Sequence, residues 1–288
     1  MSLTYFRYTK NNNFLTLTQR AFYEKNGYLV FPRLIPQNEL DKYHQRFNDI
    51  VKGRVPRDRI VMMYDVKDKK SVNKLQDINF DPVLLEYIQC KKILDITECF
   101  TGPNILAIHN MLIAKPPDSG FGTSKHPPHQ DLYYFPLRPA DHIVAAWTAI
   151  ERCDKENGCL YVAPGSHLSG LLHAHDYPSG PMNKFYHGIQ DLPDTTLWLD
   201  LEMEPGDTVF FHPLLMHGSG VNKSNRTRLA ISCHYAAADC NYELEPVQQR
   251  IESEILHYAG KKYPEINITY KDIWDIKTVL VRGIKSSL

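Results

Sequence analysis

Three side chains of the sequence have the types and the spacing of a non-haem iron site. His129 and Asp131 are separated by one residue, and His217 lies in the distant segment 212–220. In an extended chain, residues i and i+2 point to the same face, so His129 and Asp131 can reach one metal. Two imidazoles and one carboxylate leave open positions on an octahedral iron(II) for O₂ and a bidentate cosubstrate, whereas zinc prefers a more closed tetrahedral site. The spacing therefore predicts that His129, Asp131 and His217 form a facial triad.

A cation follows the distal histidine at a distance that suits a second role. On its own, a His-x-Asp tripeptide is a weak signal, because such tripeptides often arise by chance. Arg228 lies 11 residues after His217, at the start of a predicted strand. Its guanidinium can hold the far carboxylate of 2-oxoglutarate while the keto-acid end chelates iron, and Ser219 can donate a further hydrogen bond. Arg226 lies on the same strand face if the strand begins early, so both arginines are candidates.

Other histidines have spacings that also suit a metal, but each has a simpler interpretation. His126 lies three residues before His129, and we interpret it as a neighbour that shapes the pocket, with a role as an alternate ligand left open. His173 and His175 form a His-x-His pair, but Asp176 is the one carboxylate nearby. A structural or substrate-lining role is therefore preferred for that pair.

The composition is that of a globular protein with a sizeable core. The 288 residues are 43% hydrophobic, and Lys plus Arg and Asp plus Glu are both 33, so the formal net charge is zero. This balance argues against a dedicated nucleic-acid or membrane-surface protein, since both usually carry a basic excess. No apolar run reaches the length that spans a bilayer, so we expect no membrane insertion. Six cysteines without a CxxC pair indicate reduced thiols.

Periodicity and turn residues predict helices at both ends of the chain and strands in the middle. Helices are predicted at 18–25 (ended by Asn26-Gly27), 38–51, around 84–88 and 93–100, and at 247–258; strands are predicted at 28–31, 105–114, 142–150, 159–162, 197–204, 208–211 and 228–235. Short strands with turns between them favour a sandwich or barrel. We predict a single domain in which about 1–103 is mostly helical, 104–240 forms the β core, and 241–288 is helical again.

Longer motifs around these positions resemble a known family. They are Phe100-Thr-Gly-Pro-Asn, Lys115-Pro-Pro-Asp-Ser-Gly, His129-Gln-Asp-Leu-Tyr-Tyr-Phe-Pro136, Ala146-Trp-Thr-Ala149, Asn157-Gly-Cys-Leu160, Pro164-Gly-Ser-His167, Gly206-Asp-Thr-Val-Phe-Phe-His212 and His217-Gly-Ser-Gly220. Through them the chain, from about residue 14 to its end, resembles the phytanoyl-CoA dioxygenase family. The resemblance implies a mainly β fold with flanking helices, the double-stranded β-helix (jelly roll, cupin-like) of 2-oxoglutarate oxygenases.

The resemblance also implies roles for individual residues. It places iron(II) on the same three ligands that the spacing predicts. It implies that 2-oxoglutarate is contacted by Lys74, Met111, Trp147, Ser219 and Arg228, with Gln130 beside them. On pattern alone, Lys74 belongs to a charged turn and Trp147 to an apolar core strand, so only the resemblance gives these two a cosubstrate role. It also favours Arg228 over Arg226.

The activity that the resemblance implies is hydroxylation at carbon 2 of phytanoyl-CoA and other 3-methyl-branched fatty acyl-CoAs, in fatty acid α-oxidation. 2-Oxoglutarate would yield succinate and CO₂, with O₂ as cosubstrate and ascorbate as a supporting reductant. Lys125 and Arg138 are candidate contacts to the coenzyme A phosphates, and the stretch 54–72 is a candidate lid. Two alternatives stay open: a 2-oxoglutarate-dependent hydroxylase of a different small molecule, and a non-catalytic metal-binding relative. Halogenation is disfavoured, because that chemistry typically needs a small residue at the position of Asp131.

The two ends of the sequence bear on where the enzyme would act. The start has no pattern of an N-terminal targeting peptide, and the chain ends in Ser286-Ser287-Leu288, a weak variant of the peroxisomal Ser-Lys-Leu signal. We therefore expect a peroxisomal protein, with a cytoplasmic one as the alternative. We also expect a monomer that binds a fatty acyl-CoA and no nucleic acid.

Overall fold

The structure is a computed structural model that describes residues 6–262 and 264–284. Its α-helices are α1 (Leu17–Asn26), α2 (Gln37–Val51), α3 (Pro82–Ile88), α4 (Lys91–Thr101), α5 (Gln249–Lys262) and α6 (Tyr270–Lys277). Its strands are β1 (Tyr28–Phe31), β2 (Val61–Tyr64), β3 (Val72–Gln76), β4 (Ile105–Lys115), β5 (His126–His129), β6 (Leu137–Arg138), β7 (Ile143–Ala149), β8 (Leu160–Val162), β9 (His175–Asp176), β10 (Gly188–Ile189), β11 (Leu199–Leu201), β12 (Thr208–Phe211), β13 (His217–Ser219), β14 (Arg228–Ala237), β15 (Asn241–Tyr242) and β16 (Val279–Arg282).

Two antiparallel sheets form the core. The larger sheet has the strand order β1-β12-β7-β14-β4-β3-β2, with β16 also paired to β4, and the smaller sheet has the order β11-β8-β13-β5. Apolar side chains of both sheets share one cluster, in which Trp147 and Phe211 of the larger sheet lie with Leu160 and Leu201 of the smaller one. The two sheets therefore face each other, and the helices flank them, as in the predicted jelly roll.

Strand β14 presents one face of the larger sheet to the helices and the other to the space between the sheets. Successive residues of a strand point to opposite faces. One set packs in the apolar cluster that includes the N-terminal helices: Leu229, Ile231, Cys233 and Tyr235. The other set lines the cavity between the sheets: Arg228, Ser232 and His234. The whole strand is buried, so the polar set must find its partners inside the protein or in a ligand.

Local sequence signals determine where α1 begins and ends. The Thr16 hydroxyl accepts the backbone N–H of Gln19 at 3.2 Å, and the Gln19 side chain accepts the N–H of Thr16 at 2.9 Å. This reciprocal capping box satisfies two donors that a helix start leaves unpaired. Gly27 ends the helix with φ 77°, a left-handed conformation that costs glycine nothing sterically. The chain then enters β1 directly, as the Asn26-Gly27 pair predicts.

The segment 54–72, predicted as a lid, contributes a strand to the larger sheet. β2 pairs with β3, and β3 pairs with β4. Lys74 therefore lies in the middle of a strand, opposite Ile113, and its interpretation as part of a charged turn is wrong. The alternating pattern is missing from the sequence because Lys74 and Leu75 are both buried, so neither face of this strand is open to water.

The prediction of a strand over 197–204 is wrong in its length. In this stretch Leu199–Leu201 alone forms a strand, β11, which pairs with β8 at the edge of the smaller sheet. Leu197 is 83% exposed, whereas Leu201 is buried. Because β8 is only three residues long, it offers no partner to the outer part of the alternating segment.

The larger sheet takes strands from all three predicted parts of the chain. β1, β2 and β3 come from 1–103, and β16 comes from 241–288, so the parts are interleaved in one sheet. The strands of this sheet therefore extend beyond 104–240, and the single domain stays a prediction. Across the residues that the structure describes, no helix combines the length and the apolar character that crossing a membrane requires.

Candidate active site

The smaller sheet brings the predicted triad together where β13 pairs with β5. His129, the last residue of β5, lies directly opposite His217, the first residue of β13. Asp131 begins the 3₁₀ turn that follows β5, and its Oδ1 lies 3.3 Å from His129 Nε2 and 3.5 Å from His217 Nε2. Asp131 is therefore not part of the strand, but the extended Gln130 before it keeps the two side chains on the same side. One ligand atom from each of the three residues lies within 4.8 Å of the others.

Backbone carbonyls orient both imidazoles toward a common point. His129 Nδ1 lies 2.8 Å from the carbonyl of Pro127, and His217 Nδ1 lies 2.9 Å from that of Leu215. Since a carbonyl only accepts, each Nδ1 donates its proton to that carbonyl, and Nε2 is the ring nitrogen that faces Asp131 and can bind a metal. Burial, with the neighbouring His129, lowers the pKa of His217 to about 4, so its ring is neutral at pH 7. Neutral imidazoles with free Nε2 atoms are the form that binds a metal.

A histidine that the sequence analysis did not single out supports the carboxylate. His234 Nε2 lies 2.7 Å from Asp131 Oδ2, leaving Oδ1 toward the two ligand histidines. Burial alone would raise the pKa of Asp131. In the acidic range where this carboxyl titrates, the protonated rings of His217 and His234, together with hydrogen bonds from His129 and His234, outweigh burial and hold that pKa well below its usual value. Such contacts orient a ligating side chain and keep it ionised. The sequence pattern did not identify His234, because both faces of its strand are buried and no polar–apolar alternation marks the face toward the cavity.

A cavity of about 730 Å³ lies beside the triad and contains most of the predicted cosubstrate residues. The predicted residues that line it are Lys74, Met111, Trp147, Ser219 and Arg228, together with the three triad residues.

Gln130 takes a different position. Its side-chain amide donates to the carbonyls of Leu171 and Leu214 at 2.9 Å each, and its Oε1 accepts the N–H of His173. This side chain therefore ties the loop after β8 to the core, and its contact with 2-oxoglutarate stays a prediction.

The structure separates the two candidate arginines. Arg228 is 2% exposed and lines the cavity, with its guanidinium carbon 5.3 Å from the centre of the Trp147 ring. Its Nε and Nη1 have no hydrogen-bond partner among the described residues. Arg226 instead lies on the surface, where it pairs with Asp154 at 2.6 Å. A buried, unpaired guanidinium suits an anionic ligand, whereas Arg226 already has its carboxylate.

Lys74 reaches the cavity from β3 and joins a stack of rings above the triad. Its Nζ lies 4.6 Å from the centre of the Tyr186 ring, and burial lowers the pKa of this lysine to about 8. Tyr186 stacks on His126 at 4.0 Å, and His126 stacks on His129 at 3.9 Å. His126 thus packs against a ligand residue, which fits its interpretation as a neighbour that shapes the pocket.

The His173–His175 pair does not form part of a metal cluster in the described residues. His175 Nε2 accepts the backbone N–H of Gln130 at 3.0 Å, and its ring stacks on Tyr133 at 4.4 Å. Because that lone pair is already in use, His175 fixes the backbone between the two triad residues of this segment. The structural interpretation of the pair agrees with these contacts.

Gly158 supports the wall that carries Ser219. It has φ +76°, and a methyl group there would overlap the backbone carbonyl of Gly220 and approach the Lys115 side chain. Gly158→Ala is therefore expected to destabilise the protein by about 2–4 kcal/mol, combining left-handed strain with a clash, and to weaken 2-oxoglutarate binding. Urea unfolding measures the first effect.

Gly53→Ala is the matched control for this substitution. Gly53 has a similar φ of +67° but no atom within 4 Å of the added methyl group. It should cost only about 1–2 kcal/mol, the conformational part alone. Equal losses of stability in the two variants would contradict a close packing role for Gly158.

Comparisons with known proteins identify the family of this chain. The chain matches the family described as phytanoyl-CoA dioxygenase (PhyH) over residues 23–230. It is 48% identical over 296 residues to the peroxisomal phytanoyl-CoA dioxygenase of Homo sapiens, covering 98% of this chain and 87% of that protein. It is 45% identical over 305 residues to a probable phytanoyl-CoA dioxygenase of Caenorhabditis elegans, covering 98% of this chain and 97% of that protein.

Solved structures with the same architecture are more distant in sequence. EctD from S. alaskensis, solved with 2-oxoglutarate and 5-hydroxyectoine, aligns with a TM-score of 0.64 at 18% identity, covering 84% of this chain and 83% of that one. The epimerase SnoN, solved with Fe³⁺, alpha ketoglutarate and nogalamycin RO, aligns with a TM-score of 0.63 at 20% identity, covering 79% and 85%. These alignments confirm the predicted fold class. Together with the near-complete coverage of the relatives, the match over residues 23–230 shows that the chain belongs to the phytanoyl-CoA dioxygenase family.

Proposed function

We propose that this protein is an iron(II)- and 2-oxoglutarate-dependent dioxygenase that hydroxylates carbon 2 of phytanoyl-CoA and other branched fatty acyl-CoAs, releasing succinate and CO₂. One observation carries the proposal: the His129, Asp131 and His217 ligand atoms and the buried Arg228 line one cavity that also has a long apolar wall. The names of the relatives supply the substrate, since those 48% and 45% identical proteins are phytanoyl-CoA dioxygenases.

The donor set fits iron and 2-oxoglutarate. Two imidazoles and one carboxylate suit iron(II), and their arrangement on one side leaves room for further ligands. The guanidinium of Arg228, with two nitrogens that lack partners, suits the far carboxylate of 2-oxoglutarate. The Ser219 hydroxyl lies on the strand that begins with His217, close to the same place. We therefore assign iron to the triad and 2-oxoglutarate to Arg228, Ser219, Trp147, Met111 and Lys74.

The reaction divides between the bound groups and the protein. Iron with 2-oxoglutarate and O₂ supplies the oxidising power that replaces a C–H bond by C–OH. His129, Asp131 and His217 would hold the metal from one side, and the cavity beside them would give the reactants access to it. Arg228 orients the cosubstrate, and the Trp147 ring beside it excludes water from that end of the pocket.

The apolar wall of the cavity supports a branched acyl substrate. Phe80 and five isoleucines contribute to it. The isoleucines come from α5, α6 and the segment between these helices: Ile255, Ile266, Ile268, Ile273 and Ile276. Ile266 is 58% exposed and Ile276 is 54% exposed, and an apolar surface that continues from a cavity into solvent is typical of a ligand-binding groove. An acyl chain lying along this wall would place its carboxyl end, and so carbon 2, toward the triad.

The coenzyme A end of the substrate needs cations near the cavity mouth. Arg138 is not available, because it pairs with Glu245 at 2.8 Å and also donates to backbone carbonyls. The segment 52–70 offers an alternative, with seven Lys or Arg residues against three Asp in a chain of zero net charge. All seven cations are exposed, and Arg59 lines the cavity. We therefore propose that this segment, rather than Arg138, meets the phosphates.

The peroxisomal location of the mammalian relatives supports the same location here. The C-terminal Ser286-Ser287-Leu288 that motivates this expectation lies outside the described residues. A fluorescent fusion that leaves this C-terminus free would test whether the three residues are sufficient.

Purified protein with iron(II) and ascorbate is expected to form succinate from 2-oxoglutarate much faster with phytanoyl-CoA than without it. Mass spectrometry should detect an acyl-CoA product heavier by one oxygen atom, and His129→Ala should remove both signals. Succinate without acyl hydroxylation would favour a hydroxylase of a different small molecule. No succinate from iron-loaded protein with any substrate would favour the non-catalytic alternative.

A further inference from the structure

We propose that Lys115 is a further cation of the 2-oxoglutarate pocket and binds, together with Arg228, the terminal carboxylate of the cosubstrate. This inference rests on the proposed function and adds a binding residue to it. Neither the spacing of the motifs nor the resemblance assigned a role to this lysine, which stands at the start of the motif Lys115-Pro-Pro-Asp-Ser-Gly.

The register of the larger sheet places the two cations side by side. Lys115 ends β4 directly opposite Arg228, which begins β14. Both residues line the cavity, and they are only 5% and 2% exposed. The Lys115 ammonium donates to Ser219 Oγ at 2.7 Å and also to the carbonyl of Gly220. Lys115, Ser219 and Arg228 therefore present their donor groups to one corner of the pocket.

Two basic side chains, Lys115 and Arg228, lie in this corner without a carboxylate beside them among the described residues. Like charges directly opposite each other on paired strands destabilise a sheet, and burial makes the repulsion stronger. Burial, followed by the charge of Arg228, holds the pKa of Lys115 well below its usual value. Within residues 6–262 and 264–284, no carboxylate forms an ion pair with either cation. The arrangement costs stability in the free protein, which is typical of a site built for an anionic ligand.

The terminal carboxylate of 2-oxoglutarate has the right charge and shape for this corner. Its two oxygens can accept from the Arg228 guanidinium and from the Lys115 ammonium, with the Ser219 hydroxyl as a third donor. The keto-acid end then points toward the triad, since Ser219 is two residues from His217 on the same strand face. The alternative is that Lys115 merely holds Ser219 and Gly220 in place.

A pair of ligands separates direct binding from this structural role. 2-Oxoglutarate and 2-oxopentanoate share the metal-chelating end and the chain length, but 2-oxopentanoate lacks the terminal carboxylate. Binding of each ligand to protein loaded with manganese(II), which prevents turnover, is measured by calorimetry. Lys115→Met is expected to weaken 2-oxoglutarate binding about 10- to 100-fold and to change 2-oxopentanoate binding by less than about twofold. Lys115→Arg should recover part of the loss.

Lys277→Met serves as the matched control. Lys277 also lines the cavity, but it already pairs with Asp77 at 3.1 Å, so its removal should leave the affinity for 2-oxoglutarate within about threefold. A second readout is thermal unfolding without ligand: Lys115→Met should be at least as stable as the wild type, because the repulsion from Arg228 is gone.

The outcomes are distinguishable. Equal losses for both ligands in Lys115→Met, or a loss for neither, would overturn the direct contact, and a less stable free variant would point to the structural role. If wild-type protein binds manganese(II) but neither ligand, the proposed function itself fails.

Discussion

Asp131→Ala is expected to reduce iron(II) affinity by on the order of 10³-fold and to abolish succinate formation. Asp131 is the one anionic ligand of the triad, and its Oδ1 lies within 3.5 Å of the Nε2 atoms of both His129 and His217. Without it, iron would meet only two buried imidazoles, and no negative charge of the triad would offset that of the metal. The substitution also leaves the His234 ring without its carboxylate partner.

Iron content after dialysis and anaerobic metal titration measure this effect, and circular dichroism checks the fold. His173→Ala is the control, because the backbone N–H of His173 donates to the Gln130 side chain beside the triad, whereas its own side chain lies outside the cluster of ligand atoms. It should keep iron affinity within about threefold of the wild type. Full iron binding by Asp131→Ala, or an equal loss in His173→Ala, would contradict the assignment of the ligands.

The ligands of the triad were predictable because their geometry follows from local rules. A one-residue separation in extended chain puts His129 and Asp131 on one side, and the structure keeps this relation even though Asp131 starts a 3₁₀ turn. His217 was harder to place, since a distant histidine gains meaning only when a sheet register brings it opposite His129. The sequence identified the candidate ligands, whereas the short distances between their side chains follow from the pairing of β13 with β5.

The supporting residues were not predictable in the same way. His234 contacts Asp131 across 103 positions of the chain, and Lys115 lies opposite Arg228 only through the register of β4 and β14. A buried strand such as β14 reads as an apolar run with scattered polar residues, so its cavity face is not visible from the sequence alone. Lys74 shows the same limit, because only the resemblance to a family identified it.

The strands of the fold were predictable where alternation or turns were strong. The prediction for 28–31 agrees with β1, and the prediction for 208–211 agrees with β12. No strand was predicted at β2 or β3. Both have short, mixed sequences, and their stability depends on pairing, β2 with β3 and β3 with β4. The prediction extended too far at 197–204, where the alternation continues after the partner strand has ended. Both errors arise because strand length is decided by the partner as much as by the segment itself.

Arg228→Gln is expected to weaken 2-oxoglutarate binding by about 10²- to 10³-fold while leaving iron affinity nearly unchanged. Arg228 is buried beside Trp147, and its guanidinium is the one group there that can hold a carboxylate with two parallel hydrogen bonds. Removing one partner of a buried, hydrogen-bonded charge pair costs about 2–5 kcal/mol, and a loss of 10²- to 10³-fold, about 3–4 kcal/mol, lies within that range. Calorimetry on the manganese(II)-loaded protein measures it directly.

Arg226→Gln gives this prediction a close control, since the two arginines are separated by a single residue. Arg226 is exposed and pairs with Asp154 on the surface, an interaction worth about 0–1 kcal/mol. Its removal should therefore change 2-oxoglutarate affinity by less than about threefold. A larger loss in Arg226→Gln than in Arg228→Gln would reverse the assignment. If Arg228→Gln lost iron affinity as strongly as 2-oxoglutarate affinity, Arg228 would support the triad rather than the cosubstrate.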